Sequence, residues 1–199
     1  MTKTHGNFEF EFHDTIEGLA LVTPKVYGDS RGFFQETFNS DAFKEVGLPH
    51  IFKQGNRSVS QKGVVRGMHL QLPHAQGKLV SVTKGSVLDV AWDLRLGSKT
   101  FGNYFETVLS AENKKMMYVP VGMAHGFMAL EDCEFVYHCT EVYHPEEEIV
   151  ILYDCSTIPW LKYAREAGIP HFHVSQKDRA RAITFEQFRN MYERTGQDC

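Results

Sequence analysis

In the middle of the chain, hydrophobic and polar residues alternate in several short stretches. Residues that favour turns lie between these stretches. The stretches are KLVSVT, SVLDVAWDL, NYFETVLS, KMMYVPV, HGFMAL and CEFVYHCTEVY. Turns such as Lys84-Gly85 and Val121-Gly122 lie between them. Side chains that alternate with a period of two, over short segments with tight turns, are typical of antiparallel sheets. The pattern therefore predicts an all-β sandwich or barrel.

Helices are predicted only at the periphery of this sheet structure. Ser40 can cap a helix over DAFKEV that ends before Gly47, and Pro159 can open one over WLKYAREA that ends before Gly168. A third helix is expected to start at Thr184, because TFEQ has the spacing of a capping box and aromatic residues recur on one face after it.

Composition narrows the class of protein. A chain of 199 residues with 42% hydrophobic residues is expected to form one domain over residues 1–199. Its 25 acidic and 21 basic residues give a net charge of −4 without a basic run, so nucleic acid is not an expected partner. The start, MTKTHGNFEFEF, has no signal-like apolar stretch, and no segment approaches the roughly 18 apolar residues of a membrane span. We expect a cytoplasmic protein with no membrane partner. Cys133, Cys139, Cys155 and Cys199 are then expected to be reduced thiols.

Residues 64–85, VVRGMHLQLPHAQGKLVSVTKG, concentrate side chains that could do chemistry. An imidazole suits proton abstraction near neutral pH, and a lysine ammonium can stabilise developing negative charge. If Arg66, His69 and Lys78 face one interior, a base, a cation and an anion-binding guanidinium share a cavity. Spacing alone equally permits His69 as a core histidine and Lys78 as a solvated edge residue.

The same stretch does not predict a metal centre or a cofactor. Gln71 and Gln76 occupy positions where further ligands would be expected, and PVGMAHGF adds one histidine, His125. Two imidazoles fall short of the three or four protein ligands of a stable first-row metal site. His74, beside Pro73, is expected to be an exposed surface residue.

Several long motifs in a fixed order resemble one known family. They are PKVYGDSRGFFQETFN, VVRGMHLQ, QGKLVSVTKGSVLDVAWDLRLGS, TFGNYFETVLSAENKK, YVPVGMAHGF and VYHCTEVYHPEEE. Over nearly its whole length the chain resembles the dTDP-4-dehydrorhamnose 3,5-epimerase family of cupin-fold nucleotide-sugar epimerases. The resemblance implies a jelly-roll fold and a homodimer. It also implies cofactor-independent inversion of C3, C5 or both in a nucleotide-linked 4-keto-6-deoxyhexose.

The resemblance also implies roles for individual residues. His69 is the implied base, Asp178 orients its imidazole, Tyr137 is the proton donor and Lys78 lies beside the sugar carbonyl. By pattern alone, Tyr137 would be an ordinary core aromatic residue. The implied substrate contacts are Arg31, Glu36, Gln54, Asn56, Arg66, His125, Tyr143, Glu148 and Lys177. In this family the segment that carries Arg31 and Glu36 crosses to the partner subunit.

The chemistry explains why these residue types belong together. A C4 carbonyl makes the hydrogens at C3 and C5 acidic, but their removal puts negative charge on the carbonyl oxygen, so a cation is needed there. Inversion then requires an acid on the ring face opposite the base, since return of the proton by the base restores the starting configuration. No step of this reaction requires a metal.

Three departures from the family pattern concern specificity. The common Gln-Asp-Asn segment reads Gln54-Gly55-Asn56, and a common tyrosine pair reads Val142-Tyr143. A longer helical insert precedes Asp178. We expect these changes to alter nucleotide or sugar preference and the pocket wall.

The alternatives to a 3,5-epimerase differ in chemistry. They are a C3-only or C5-only epimerase of another nucleotide-linked keto sugar, a metal-dependent cupin enzyme, and a non-catalytic sugar-binding cupin. Base, acid and lysine together favour catalysis, because binding alone needs no proton donor opposite a base.

Overall fold

A computed structural model describes residues 1–153 and 158–195 of the chain. The strands in chain order are β1 (Thr2–His5), β2 (Phe8–Phe12), β3 (Ala20–Pro24), β4 (Val26–Asp29), β5 (Gly32–Gln35), β6 (Gln54–Ser60), β7 (Val65–Gln71), β8 (Lys78–Lys84), β9 (Ser86–Asp93), β10 (Tyr104–Ser110), β11 (Met116–Val119), β12 (Met123–Ala129), β13 (Cys133–Cys139) and β14 (Glu148–Val150). The helices are α1 (Ser40–Val46), α2 (Trp160–Glu166), α3 (Gln176–Arg181) and α4 (Phe185–Thr195).

Two antiparallel sheets form the body of the fold. The larger sheet has the strand order β1-β2-β3-β11-β8-β13-β6, and the smaller has the order β10-β9-β12-β7-β14. Neighbours such as β8 and β13, or β7 and β12, are distant in sequence, so the chain passes repeatedly from one sheet to the other. This arrangement is that of a jelly roll. The predicted all-β sandwich with a few short helices is confirmed.

The six hydrophobic stretches of the sequence become β8 to β13. The last of them was predicted to run to Tyr143, but β13 ends at Cys139. Beyond this point the backbone is held by side chains instead of a neighbouring strand, since Tyr143 N donates to Gln54 Oε1 and His144 N donates to Gln71 Oε1. Tyr143 therefore lies in a loop.

Helices cover part of the outer face of each sheet. Between the sheets lies a core that includes Val80, Phe127 and Phe135. The outer face of the smaller sheet packs against α2 and α4 through residues such as Trp160 and Phe188. The outer face of the larger sheet packs against α1 through three aromatic residues, Phe8, Phe10 and Phe43. Burial on two sides explains why β9 and β12 are buried at nearly every position instead of alternating.

Three helices form where the sequence predicted them, although the residue that caps α1 differs from the prediction, and a fourth helix, α3, is additional. The N-cap of α1 is Asn39, whose side chain accepts from the backbone of residues 41 and 42; Ser40 is the first helical residue. At α4 the predicted capping box is present, because Thr184 and Gln187 exchange side-chain to backbone hydrogen bonds of 2.8 and 3.1 Å. Helix α3 was not predicted; Ser175 caps it by accepting from Asp178 N at 3.0 Å.

Strands β4 and β5 form a separate two-stranded ribbon. Its aromatic side chains face solvent, with Phe33 61% and Phe34 65% exposed. At the tip of the ribbon, Arg31 pairs with Asp29 at 2.6 Å. The ribbon is thus an apolar projection that lacks a strand partner in the part of the chain described.

Two further expectations concern membranes and thiols. Among residues 1–153 and 158–195, every helix is too short or too polar to cross a membrane. Cys133 and Cys139 are buried free thiols, as predicted. Cys155 and Cys199 lie outside the described residues.

Candidate active site

A cavity of about 270 Å³ lies between the two sheets. The larger sheet contributes side chains from β6, β8 and β13, and the smaller contributes side chains from β7, β12 and β14. The lining residues are Gln54, Asn56, Ser58, Arg66, His69, Leu70, Gln71, Gln76, Lys78, His125, Gly126, Phe127, Phe135, Tyr137, Tyr143 and Glu148. Nine of the thirteen residues singled out in the sequence therefore meet at one cavity.

An irregularity in β7 brings Arg66 and His69 to this cavity together. In a regular strand, residues three apart point to opposite faces. Here Arg66 is opposite Phe127 and His69 is opposite His125, so β7 has one more residue than β12 between the two pairs. This extra residue is a β-bulge, which shifts the alternation by one position. Both side chains consequently point into the cavity.

His69 and Asp178 form a hydrogen-bonded pair. Nε2 of His69 lies 3.2 Å from Oδ1 of Asp178, which stands 109 residues later at the start of α3. Burial alone would raise the pKa of Asp178, but its hydrogen bonds with His69 and Ser175 and the charges of His69 and Lys177 together hold that pKa below its usual range. The carboxylate is therefore ionised, and it can hold the imidazole in the tautomer that carries a proton on Nε2.

Tyr137 reaches the cavity from the opposite sheet. It lies on β13 of the larger sheet, whereas His69 lies on β7 of the smaller one. Burial raises the pKa of the Tyr137 phenol, so the hydroxyl keeps its proton at neutral pH. An ionisable base and a protonated phenol thus approach the cavity from its two walls.

Lys78 lies on the same wall as Tyr137. On β8 it is opposite Cys139 of β13, so Lys78 and Tyr137 share the face that points into the sandwich. Burial lowers the pKa of the Lys78 ammonium and raises that of the Cys139 thiol. Within the described residues, Lys78 Nζ has no ion-pair partner, so its charge is available to a bound anion.

A second histidine–carboxylate pair stands next to the first. His125 is the direct cross-strand neighbour of His69, and its Nε2 lies 2.9 Å from Oδ1 of the fully buried Asp89. Asp89 was not among the predicted site residues. The available signal was the pair of acidic residues, Asp89 and Asp93, in SVLDVAWDL, a stretch otherwise apolar enough to be buried.

Among the described residues, two buried oxygen atoms near these groups have no hydrogen-bond partner. They are Ser58 Oγ and Asp89 Oδ2. A buried polar atom without a hydrogen bond is costly, and Ser58 lines the cavity, so its hydroxyl is available to a polar ligand there. Ser58 was also missed in the sequence, where it is one polar residue among several in β6.

Glu148 anchors the rim of the cavity. Lys177 Nζ lies 2.7 Å from Glu148 Oε2, and Arg181 Nη1 lies 3.1 Å from the same oxygen. Lys177 also donates to the Tyr143 hydroxyl at 3.1 Å. Burial alone would raise the pKa of Glu148, but its hydrogen bonds with Lys177 and Tyr143 and the charges of His69 and Lys177 together keep that pKa below the usual range. Helix α3 thus places Lys177 at the rim of the cavity and Asp178 next to His69.

Two departures noted in the sequence lie outside the cavity. Gln54 and Asn56 line it, so Gly55 between them faces outward, where an added Cβ would meet the His138 ring at 3.5 Å. Val142 is exposed and is not among the lining residues. The expectation that Val142 changes the pocket wall is wrong, because the loop turns this residue away from the cavity. The effect of Gly55 on nucleotide or sugar preference stays a prediction.

The helical insert before Asp178 also packs away from the cavity. Trp160 and Ala164 of α2 are buried in the core on the outer face of the smaller sheet. The structure therefore gives the insert a packing role, with α3 following it. Residues 154–157, which precede α2, lie outside the described part of the chain.

Arg31 and Glu36 are not at this cavity. Arg31 is 88% exposed at the ribbon tip, paired with Asp29. Glu36 accepts from Asn7 at 2.7 Å and from Asn39 at 3.3 Å. Neither lines the pocket of its own chain in the described structure.

A double-sheet jelly roll with a polar cavity between its sheets is the architecture of the cupin class of proteins. Comparison with known proteins narrows the class to nucleotide-sugar isomerases. The family model for dTDP-4-dehydrorhamnose 3,5-epimerase matches residues 13–186. The chain belongs to the dTDP-4-dehydrorhamnose 3,5-epimerase family.

Individual relatives agree with this assignment. A dTDP-4-dehydrorhamnose 3,5-epimerase of Methanothermobacter thermautotrophicus is 49% identical over 154 residues, which cover 76% of this chain and 80% of that protein. One of Pseudomonas aeruginosa is 50% identical over 141 residues, or 70% of this chain and 78% of that protein. A solved 3,5-epimerase from Legionella pneumophila, in complex with dTDP-4-keto-L-rhamnose, has a TM-score of 0.77 and 41% identity, covering 88% of this chain and 92% of that one.

Proposed function

We propose that this chain inverts C3 and C5 of a dTDP-4-keto-6-deoxyhexose by proton transfer, without a cofactor. One observation carries the proposal: the His69–Asp178 pair and the Tyr137 phenol come from opposing sheets and line one cavity together with Lys78. Family membership supports the same substrate class.

The first step breaks a C–H bond next to the C4 carbonyl. With Nε2 hydrogen-bonded to Asp178, Nδ1 of His69 is the basic nitrogen that takes the proton. The electron pair moves to the carbonyl oxygen and forms an enolate, while the imidazolium is stabilised by the Asp178 carboxylate. Lys78 stabilises the enolate oxygen, since a cation on the cavity wall acts more strongly in a cavity that excludes bulk water than it would in water.

The second step forms a C–H bond on the other face of the sugar ring. Tyr137 donates its phenolic proton to the enolate carbon, so the centre leaves with inverted configuration. The tyrosinate then regains a proton from water and the imidazolium loses one to water. Repetition at the second carbon requires only that the same two groups reach it, since C3 and C5 flank the same carbonyl.

The experiment follows solvent deuterium into the sugar. Purified, metal-chelated protein is incubated with dTDP-4-keto-6-deoxyglucose in heavy water, and deuterium at C3 and C5 is read by NMR. We expect deuterium with inversion at both carbons. His69→Asn should abolish exchange, whereas Tyr137→Phe should lose inversion and keep part of the exchange, because the base still forms the enolate.

Matched controls separate chemistry from folding. His171→Asn and Tyr163→Phe change a histidine and a tyrosine that do not line the cavity, and they should behave like the wild type. Deuterium at one carbon only would replace the proposal with a C3-only or C5-only epimerase. Full exchange by His69→Asn would remove His69 as the base, and activity that disappears on chelation would favour a metal-dependent cupin.

We further propose that the chain works as a homodimer in which the β4–β5 ribbon completes the partner's site. The ribbon exposes Phe33 and Phe34, and its Arg31 and Glu36 lie away from the cavity of their own chain. Exposed apolar patches of this kind are typical of interaction surfaces. Light scattering should give a dimer for the wild type and a monomer for a Phe33→Ser, Phe34→Ser variant.

Mixing two inactive variants tests the shared site. Arg31→Ala lacks the ribbon arginine and His69→Asn lacks the base. If Arg31 serves the partner, each mixed dimer has one intact site, so a 1:1 mixture after subunit exchange regains activity at about a quarter of its sites. If Arg31 serves its own chain, no mixture regains activity, and the proposed shared site is refuted.

Two broader expectations belong to the same proposal. The sheets draw strands from both ends of the chain, from β1 to β14, which supports one domain over residues 1–199. The buried reduced thiols of Cys133 and Cys139 are consistent with a cytoplasmic enzyme.

A further inference from the structure

Three side chains with metal-binding atoms meet on the surface beside the cavity. They are His74, His144 and Glu147, and the ligand atoms that they offer all lie within 4.8 Å of one another. Nδ1 of His74 lies 2.7 Å from Oε1 of Glu147. The two imidazoles stack, with ring centroids 4.8 Å apart and an angle of 22° between the planes. We call this group the His74 cluster.

The backbone around the His74 cluster is held in place by the protein. Gln71 is buried, and its amide donates to the carbonyl oxygens of His74 and Val142, while its Oε1 accepts from His144 N at 2.8 Å. Leu72 N donates to Glu147 O at 3.2 Å. The buried Gln71 side chain thus holds both loops that carry the histidines. The relative position of the two histidines is therefore fixed by the fold.

We propose that the His74 cluster is a binding site for a divalent transition-metal ion of the zinc class. Two imidazoles and one carboxylate are the donor set that zinc accepts, with water as the fourth ligand. Zn–N and Zn–O bonds of about 2.0–2.2 Å require ligand atoms about 3.3 Å apart in a tetrahedral site. Nδ1 of His74 and Oε1 of Glu147 are 2.7 Å apart, so this hydrogen bond opens by about 0.6 Å when an ion binds. The partly exposed His144 ring, whose Nδ1 lies 3.6 Å from Glu146 Oε1, rotates from that contact to supply the second nitrogen.

The site is separate from the proposed epimerisation. None of its three residues lines the cavity, and no proton transfer passes through it. Its position gives it a structural effect, because a bound ion ties the loop after β7 to the loop before β14. Tyr143, which lines the cavity and accepts from Lys177, immediately precedes His144. A metal ion at the His74 cluster would therefore brace one wall of the cavity.

The test is zinc binding by the full-length, chelator-treated protein, followed by isothermal titration calorimetry at pH 7.5. We expect one Zn²⁺ per chain with a Kd below about 10 µM, as a three-ligand protein site allows. At 100-fold excess over Kd, Zn²⁺ should raise Tm by roughly 5 °C. Co²⁺ in place of Zn²⁺ should give the visible absorption of tetrahedral coordination.

Variants identify the ligands. His74→Ala, His144→Ala and Glu147→Gln should each weaken Zn²⁺ binding at least about 30-fold and remove the Tm rise. The matched controls are His171→Ala and Glu112→Gln, an exposed histidine and an exposed glutamate outside the cluster, and both should bind as the wild type does. Circular dichroism of each variant shows whether the fold is retained.

Two results would overturn the proposal. Absence of one-to-one binding in the wild type would leave the His74 cluster as an ion pair between His74 and Glu147. Binding that the control variants weaken as much as the three cluster variants would assign the ion to other residues. Neither result bears on the heavy-water assay, so this site and the epimerase proposal fail independently.

Discussion

Replacement of Asp178 by asparagine isolates the carboxylate that pairs with the base. The side chain keeps its size, so the packing at the start of α3 is retained, but its negative charge is lost. Asp178 Oδ1 lies 3.2 Å from His69 Nε2. We expect kcat to fall while KM changes little, because the charge matters most when His69 has become an imidazolium, that is, after the substrate proton has been taken.

The structure sets the size of the effect. Two unit charges 3.2 Å apart interact with about 5 kcal/mol at an effective dielectric constant near 20. The imidazole is 28% exposed and the carboxylate 11% exposed, and solvent screening at such a site reduces the interaction to roughly 3 kcal/mol. Since each 1.4 kcal/mol, approximately, is a factor of ten in rate, kcat should fall about 100-fold.

Steady-state kinetics and the deuterium assay together test this reasoning. Asp132→Asn, an exposed aspartate away from the cavity, is the matched control and should leave kcat unchanged. Deuterium exchange at C3 and C5 should fall by the same factor as inversion, since both need the base. A kcat for Asp178→Asn within threefold of wild type would refute the pair as a source of catalysis, and a large rise in KM alone would make Asp178 a binding residue.

Two further predictions concern the scaffold. Gly126→Ala would place a Cβ 2.7 Å from the Arg66 carbonyl oxygen. We therefore expect a free energy of unfolding about 1–3 kcal/mol lower and a lower kcat/KM. The control in thermal melts is Gly28→Ala, whose Cβ would meet nothing closer than 3.8 Å. Burial alone would raise the pKa of Asp93, but hydrogen bonds led by Arg95 lower it from 3.8 to about 2. This shift contributes about 2 kcal/mol to the free energy of unfolding above pH 4, and the contribution is lost as the pH falls towards 2. Denaturant unfolding should show the stability difference between wild type and Asp93→Asn shrinking over that interval; a constant difference would contradict the assignment.

Alternation predicted the strands whose inward side chains are apolar. In β8 and β13, residues such as Val80 and Phe135 fill the core between the sheets, so the sequence and the burial have the same period. The polar strand β6 was not predicted, although its burial also alternates, because Gln54, Asn56 and Ser58 are its inward residues. A strand that lines a polar cavity reverses the usual pattern, and hydrophobicity then gives no signal.

The positions of the site residues depended on features that no local pattern contains. The bulge that turns Arg66 and His69 to one side results from pairing with β12, and the contact of His69 with Asp178 spans 109 residues. Resemblance to a family named these residues in advance, whereas spacing left His69 equally open as a core histidine. The converse also holds, since Asp89 is one of two acidic residues in the otherwise largely apolar strand β9 and was still missed.

Arg31 does not line the cavity of its own chain, so the structure of one chain gives it no role at the site. Its sequence environment, GDSRG, reads as a solvated turn, and in the structure it is a solvated turn at the tip of the ribbon. Exposure of Phe33 and Phe34 on the same ribbon is costly for an isolated chain and reasonable for one that docks onto another. A residue that acts in the site of a second subunit makes no functional contact within its own chain. The subunit-mixing experiment is therefore the measurement that can assign a role to Arg31.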